Sequence, residues 1–355
     1  MILNHIELRN FRSYDYLDLD LSSGLNLIVG ENAVGKTNLA EAIYYLSLAR
    51  SWRTLDDRNL IKDGKEFALI NASISEGELH RQIEIRIEKN AKKIRINGNP
   101  IRRLSDLSKL VNVIVFSPND TRLFRSSPSE RRNFLDVTIS KKYDEYLTLI
   151  GGYSKLLKER NALLKQDNPN LDLLNVLTEQ MIKLSEPIIK YRVNYVSSIN
   201  SLLPSFMERL RGDKKRCNIV YKPFVSQADN LIESMKKAYL DALESDLSRH
   251  QTSVGIHRED FCFKMDGQDV GLYGSQGENR IASLAVKLIP YLLIESKEKK
   301  PICVLDDVTS ELDKNHVERL LNIVKKFSQV FITTTKLEIE GASVIEVTAN
   351  NAKRR

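Results

Sequence analysis

Cysteine is scarce in this 355-residue chain. Cys217, Cys262 and Cys303 lie far apart and form no C-x-x-C pair, which argues against both a disulfide framework and a cysteine zinc site. That usage suits a reducing cytosol. The five histidines (His5, His80, His250, His257, His316) show no metal-ligand spacing. No run approaches the roughly 18 uncharged apolar residues of a membrane span. The N-terminus, with Asn4, His5, Glu7 and Arg9, has no signal-peptide core. Internal repeats, low-complexity tracts and sustained heptads are missing. The expectation is a soluble, cytoplasmic protein.

At 355 residues the chain is long enough for two domains or for one domain with a large insertion, and 42% hydrophobic content supports a sizeable core. A net charge of +7 fits an anionic partner without choosing between DNA, RNA and a membrane surface.

The most informative stretch is Leu25–Thr37. An apolar burst (Leu25, Leu27, Ile28, Val29) reads as a buried strand and runs into Gly30-Glu31-Asn32-Ala33-Val34-Gly35-Lys36-Thr37. This is G-x-x-x-x-G-K-T, the phosphate loop. Its glycines let backbone N–H groups turn inward on a β-phosphate, and the helix that follows adds its dipole. Lys36 supplies a point charge, and the Thr37 hydroxyl is a ligand for Mg²⁺. A chance match in a glycine turn lacks such flanks; here Leu39, Ile43 and Leu46 recur at helical spacing after Asn38. The chain is expected to bind a nucleoside triphosphate.

Around this loop the pattern is mixed. Residues 1–24 read as strand, turn, strand, with Tyr16–Leu21 alternating at period two. Residues 67–75, 82–88 and 93–96 continue as an antiparallel meander, with a hairpin at Asn97-Gly98. From about 128 to 250 glycine is scarce and Leu, Lys and Glu recur at helical spacing, which predicts an inserted helical arm (lobe II). The head is assigned to 1–127 and 251–355. Val344–Val347 reads as an edge strand and the tail Lys353–Arg355 as frayed.

Pro301–Asp307 is an apolar strand ending in two carboxylates, the acidic partner of a phosphate loop. Asp306 is placed to hold the Mg²⁺ shell and Asp307 to accept a proton from attacking water, with Lys36 as the other catalytic group. About thirty residues earlier, Tyr273-Gly274-Ser275-Gln276-Gly277-Glu278-Asn279-Arg280 opens a helix, a second anion site of a weaker kind. A capped helix start with no ligand would look the same. The order of loop, insertion, S-x-G turn, acidic strand and Ser310-Glu311-Leu312-Asp313 is that of ABC-type ATPases.

Several segments carry a closer likeness: Leu8–Tyr14, Gly30–Ala42, Arg50-Ser51-Trp52-Arg53-Thr54, Phe116–Asp120, Glu130–Asp136, Lys158–Leu164, Gly255–Asp260, Tyr273–Arg280 and Leu305–Asp313. In order and spacing they make the chain resemble the RecF family, bacterial recombination mediators of the SMC-like/ABC-type ATPase superfamily. The resemblance implies an α/β P-loop ATPase head, a mixed parallel core plus an antiparallel sheet, with an inserted α-helical arm. It implies ATP and Mg²⁺ as cofactors and a homodimer formed in ATP. In that dimer Ser275, Gln276 and Gly277 meet the nucleotide of the other copy, and Asp313 lies in the loop across it. Weak ATP hydrolysis would act as a switch. It further implies binding to duplex DNA and single-strand/duplex junctions, partnership with RecO and RecR, and indirect help in loading RecA. Asn119 and Asp120 fall near the family's Q-loop, and Thr335 where transporters have a switch histidine. Glu278 departs from the pattern, standing where glutamine is usual, and a carboxylate there opposes a γ-phosphate.

Basic residues Arg86, Lys92, Lys93, Arg95, Arg102 and Arg103 form the candidate DNA surface; within 86–103 only Glu88 counters them. An ordinary solvated face is the plain alternative. The aromatic interleaving of single-strand readers is missing, so duplex backbone contact is favoured. Two other classes remain. A transporter ATPase subunit has far fewer residues between loop and signature, and an SMC-type chromosome protein carries hundreds of residues of coil.

Overall fold

The computed structural model describes residues 1–101, 103–226, 230–292, 294, 300–308, 312–335, 339–349 and 351–355. The chain begins with strands Ile2–Phe11 (β1), Tyr14–Asp20 (β2) and Gly24–Val29 (β3), then helix Lys36–Leu48 (α1). Strands Phe67–Glu76 (β4), Leu79–Glu88 (β5), Lys92–Ile96 (β6) and Asn99–Pro100 (β7) precede helix Leu104–Leu110 (α2) and Val113–Phe116 (β8). Helices Pro128–Lys142 (α3), Asp144–Leu164 (α4) and Leu171–Arg211 (α5) follow, then Cys217–Lys222 (β9) and Leu231–Arg249 (α6). Next come Asp260–Met265 (β10), Gln268–Asp269 (β11), Val270–Tyr273 (α7) and Gln276–Leu292 (α8). The chain ends with Ile302–Asp306 (β12), Lys314–Val324 (α9), Gln329–Thr334 (β13), Ser343–Thr348 (β14) and Asn351–Arg354 (β15).

Two units emerge. The first holds Met1–Thr121, Arg209–Arg211 and Lys287–Arg355; the second holds Arg122–Glu208 and Gly212–Val286. In the first, one sheet runs β2-β1-β4-β5-β6-β7 with antiparallel neighbours throughout. Its β4 buries every second residue (Ala68, Ile70, Ala72, Ile74), the period of a strand with one face in the core. The other sheet runs β15-β14-β3-β13-β12-β8. Here β12 and β13 are buried throughout, as parallel strands covered on both faces must be. Gln329 joins the sheets: its amide accepts from Leu3 N–H (2.7 Å) and donates to the carbonyls of Leu3 and Ser22 (2.8 Å each).

Two expectations change at this sheet's rim. Strand β14 is flanked by β15, so β14 is not the edge. The tail is ordered as that outer strand, with Arg355 paired to Glu346 at 2.7 Å.

The second unit is built on α3–α6, with α5 running 41 residues through Pro187 and Pro204. Its small sheet β11-β10-β9 keeps residues well beyond 250 with the helices. Arg131 on α3 pairs with Asp260 (2.6 Å), and Arg192 on α5 with Glu259 (2.5 Å). These pairs explain why this unit extends to Val286 rather than ending near 250.

Candidate nucleotide-binding site

The parallel sheet sets the geometry. Strand β13 lies between β3 and β12, so the turn after Val29 and the end of β12 share one sheet edge. That carboxyl edge is where open α/β sheets hold ligands. Both loop glycines are required by shape. A Cβ on Gly30 would stand 2.3 Å from the Val347 carbonyl oxygen. Gly35 has φ +115° and lies against Tyr14, whose hydroxyl donates to the Gly35 carbonyl at 3.1 Å. Ala33 also takes a left-handed conformation, φ 65°. Glu31, Asn32 and Ala33 form the exposed crest, with Val34 half-buried behind them.

Lys36 begins α1 and bends over the loop, donating to the carbonyls of Gly30 (2.8 Å) and Glu31 (2.6 Å). Burial lowers its pKa, while Asp307 and Asp306 act the other way. The Thr37 hydroxyl donates to Asp306 Oδ1 at 3.0 Å, joining the two halves of the site across 269 positions of sequence. Thr333 on β13 donates to the same oxygen at 2.8 Å and accepts the Asp307 N–H at 2.8 Å. Asp306 is buried, and burial raises its pKa. Asp307 is exposed, with φ 52° turning it out of the strand. Thr37 and Asp306 thus offer adjacent hard oxygens, the donor set Mg²⁺ takes alongside phosphate and water. Among the described residues no cluster of three or more His, Cys, Asp or Glu competes as a metal centre.

Thr333 has no sequence signal of its own, and a second set of residues was hidden in the motifs. Glu41 is fully buried on α1 and takes both oxygens to Arg12 (2.9 and 2.8 Å), with Arg53 at 3.0 Å and the Ser51 hydroxyl also bonded to it. Arg53 reaches Asn38 Oδ1 at 2.8 Å, and Asn38 donates to Ser13 at 2.9 Å. The loop after α1 is therefore fixed to the phosphate-loop helix. Trp52 packs edge-on against Tyr44, a core role.

The Ser275 turn belongs to the second unit. Ser275, Gln276 and Gly277 are exposed beside Leu272 and Tyr273. Asn279 is buried beneath them and donates to the Val270 carbonyl at 2.8 Å. Arg125 donates to the Gly274 carbonyl. Asp313 caps α9, accepting the His316 N–H at 3.0 Å. Ser310 and Glu311 lie outside the described residues, as does the Asn119 side chain; Asp120 pairs with Lys287 at 2.5 Å. Thr335 is exposed just past β13. His257 is structural, bonded through Nδ1 to the Tyr153 hydroxyl at 2.8 Å.

The candidate DNA surface carries more negative charge than its sequence suggests. Arg86 and Lys93 share Glu88 (2.8 and 3.3 Å), Arg95 meets Glu84 (3.2 Å), and Lys92 meets Asp57 (2.7 Å). Cross-strand pairing of β5 with β6 and the turn near Asp57 bring in carboxylates that counting along 86–103 misses. Arg103 is exposed at the start of α2, and Arg102 lies outside the described residues.

Comparison with known proteins agrees with this architecture. Residues 2–353 match the family model described as RecF/RecN/SMC N terminal domain. A Clostridium novyi protein named DNA replication and repair protein RecF is 36% identical, over 96% of this chain and 94% of its own. A protein of the same name from Halalkalibacterium halodurans is 35% identical with full coverage of both. The fold superposes with a TM-score of 0.89 and 31% identity on a solved structure described as the recombination mediator protein RecF-ATP in the RecFOR pathway, covering 100% of this chain and 99% of that one. An Smc head bound to the C-winged helix domain of ScpA shares the fold alone, at 16% identity and a TM-score of 0.61. The chain belongs to the RecF family, within the RecF/RecN/SMC N-terminal domain group of ATPase heads.

Proposed function

We propose that the chain is an ATP-dependent DNA-binding protein of recombinational repair at single-strand gaps. Two copies close around two ATP molecules, each lending its Ser275 turn to the triphosphate held by the other. The observation that carries the reading is the full-length likeness to a RecF chain solved with ATP, on a site whose loop and acidic strand meet through Thr37 and Asp306.

The residues have distinct tasks. Backbone N–H groups from Gly30 to Thr37 hold the β-phosphate, and Lys36 swings from loop carbonyls to phosphate oxygens. Thr37 and Asp306 would hold Mg²⁺, which when bound screens the charge of the β- and γ-phosphates. Asp307 accepts a proton from the attacking water. Its side chain is one methylene shorter than glutamate, so turnover is slow and hydrolysis works as a timer. ATP favours the closed dimer because only that state gives the γ-phosphate both sets of donors; hydrolysis removes the preference. The clamp engages duplex backbone beside a gap, where RecO and RecR use it to place RecA.

Sedimentation with ATP, with ADP and without nucleotide tests this, with and without duplex DNA. The expected result is a dimer in ATP alone, lost in Lys36→Ala and in Ser275→Arg while each monomer stays folded. A dimer that survives both substitutions overturns the shared-pocket reading.

A further inference from the structure

Glu278 stands in a turn whose N–H groups must face a triphosphate, where an uncompensated carboxylate weakens closure. Ser275 and Lys215 restrain it. Its Oε2 accepts the Ser275 N–H at 3.0 Å while its own N–H donates to Ser275 Oγ at 3.1 Å, a reciprocal capping box. Its Oε1 accepts from Lys215 Nζ at 3.2 Å. As an acceptor in the box, the Ser275 hydroxyl keeps its own proton for a bond directed elsewhere.

Lys215 is not a loose surface cation. It precedes β9 on backbone fixed one residue later: Arg216 N–H donates to Asp266 Oδ1 (3.0 Å), and Asp266 N–H donates to the Arg216 carbonyl (2.8 Å). This sets the ammonium beside Glu278 from the start of β9. The Ser275 N–H, with Lys215 after it, also holds the Glu278 carboxyl below the usual range, so it is anionic when nucleotide arrives.

We infer that Lys215 is a positioning residue for the nucleotide-facing turn, neutralising and steering Glu278 so that Ser275 and Gly277 can meet the triphosphate of a second copy. This rests on the shared-pocket reading. Removing the Lys215 ammonium takes a positive charge from beside Glu278, and closure weakens roughly tenfold at moderate ionic strength.

The test compares native protein, Lys215→Ala, Glu278→Gln, the double variant and Ser275→Arg by sedimentation equilibrium in ATPγS, with circular dichroism to check folding. Lys215→Ala is expected to raise the dimer dissociation constant roughly tenfold. Glu278→Gln, which keeps the capping box, should dimerise at least as tightly as native. Adding it to Lys215→Ala should restore dimerisation, a rescue that a merely structural lysine would not show. Native-like dimerisation of Lys215→Ala, or a loss that Glu278→Gln leaves uncorrected, overturns the inference. Native-like dimerisation of Ser275→Arg overturns the shared pocket itself, so the two failures are distinct.

Discussion

The buried carboxylates of the helical unit and Asp306 of the nucleotide site are held on different terms. In the helical unit Arg160 and Asp246 are both inaccessible and pair at 2.7 Å, with the hydroxyls of Thr252 and Thr178 also accepting from the arginine. Arg192, also buried, is shared by Glu259 and Asp136. In the nucleotide unit Asp306 is bonded by the hydroxyls of Thr37 and Thr333, and no described lysine or arginine forms an ion pair with it. An ion pair that satisfies itself is a fixed joint. A buried carboxylate held by hydroxyls alone has charge to give a cation that arrives later. The contrast separates scaffold from site without reference to any motif.

The largest effect should come from breaking a joint. Arg192→Met leaves Glu259 buried without its counter-charge and is expected to cost about 3–5 kcal/mol, read as a large fall in thermal midpoint. Removing both charges in Arg192→Met/Glu259→Leu should recover much of that loss. The site should behave in the opposite way. Asp306→Asn removes a carboxylate whose pKa burial raises, so the nucleotide-free protein should melt at the native temperature or above it. Saturating Mg·ATP, at about a hundredfold over its dissociation constant, should stabilise native protein by about 2.7 kcal/mol and leave the variant unshifted. If Asp306→Asn destabilises the nucleotide-free protein as Arg192→Met does, the distinction between joint and site fails.

How much of this was legible follows the same division. The phosphate loop and acidic strand are local words, and the fold places them as expected because β3, β12 and β13 are apolar runs that can only be buried parallel strands. Thr333 could not be read, since its role depends on which strand lies between the other two. Unit boundaries were obscured for a similar reason. Residues 251–286 look like head by strand and turn content, but Asp260 and Glu259 are tied to helices by arginines more than sixty positions away. Charge counted along β5 and β6 ignored partners across the sheet, and the closeness of Lys215 to Glu278 appears only once β9 pairs with β10.

The helical unit has a third way to bury a titratable group, which is to discharge it. His257 lies against Tyr153, and burial lowers its pKa to about 4. It is neutral when folded and takes a proton near pH 6.5 when unfolded. Stability from this group is therefore complete above about pH 6.5 and is lost as the pH falls towards 4. The expected loss is roughly 3 kcal/mol, measured by urea unfolding across that range. His257→Gln should flatten the slope; an unchanged slope would assign it to other groups.

The smallest effect concerns pairs that are neither joints nor sites. Glu84 and Glu88 face Arg95, Arg86 and Lys93 on β5 and β6, where water and salt screen them and each pair contributes little. Such pairs can be exchanged at little cost, so a DNA phosphate can take the cation from the carboxylate. If this face meets duplex backbone, Glu84→Gln and Glu88→Gln should leave the thermal midpoint unchanged and tighten duplex binding a few-fold. Lys93→Gln should weaken binding and reduce the slope of log affinity against log salt by about one. Fluorescence anisotropy over a salt series reads both. A slope that ignores all three substitutions would place the duplex elsewhere, and these pairs would then be ordinary solvated surface.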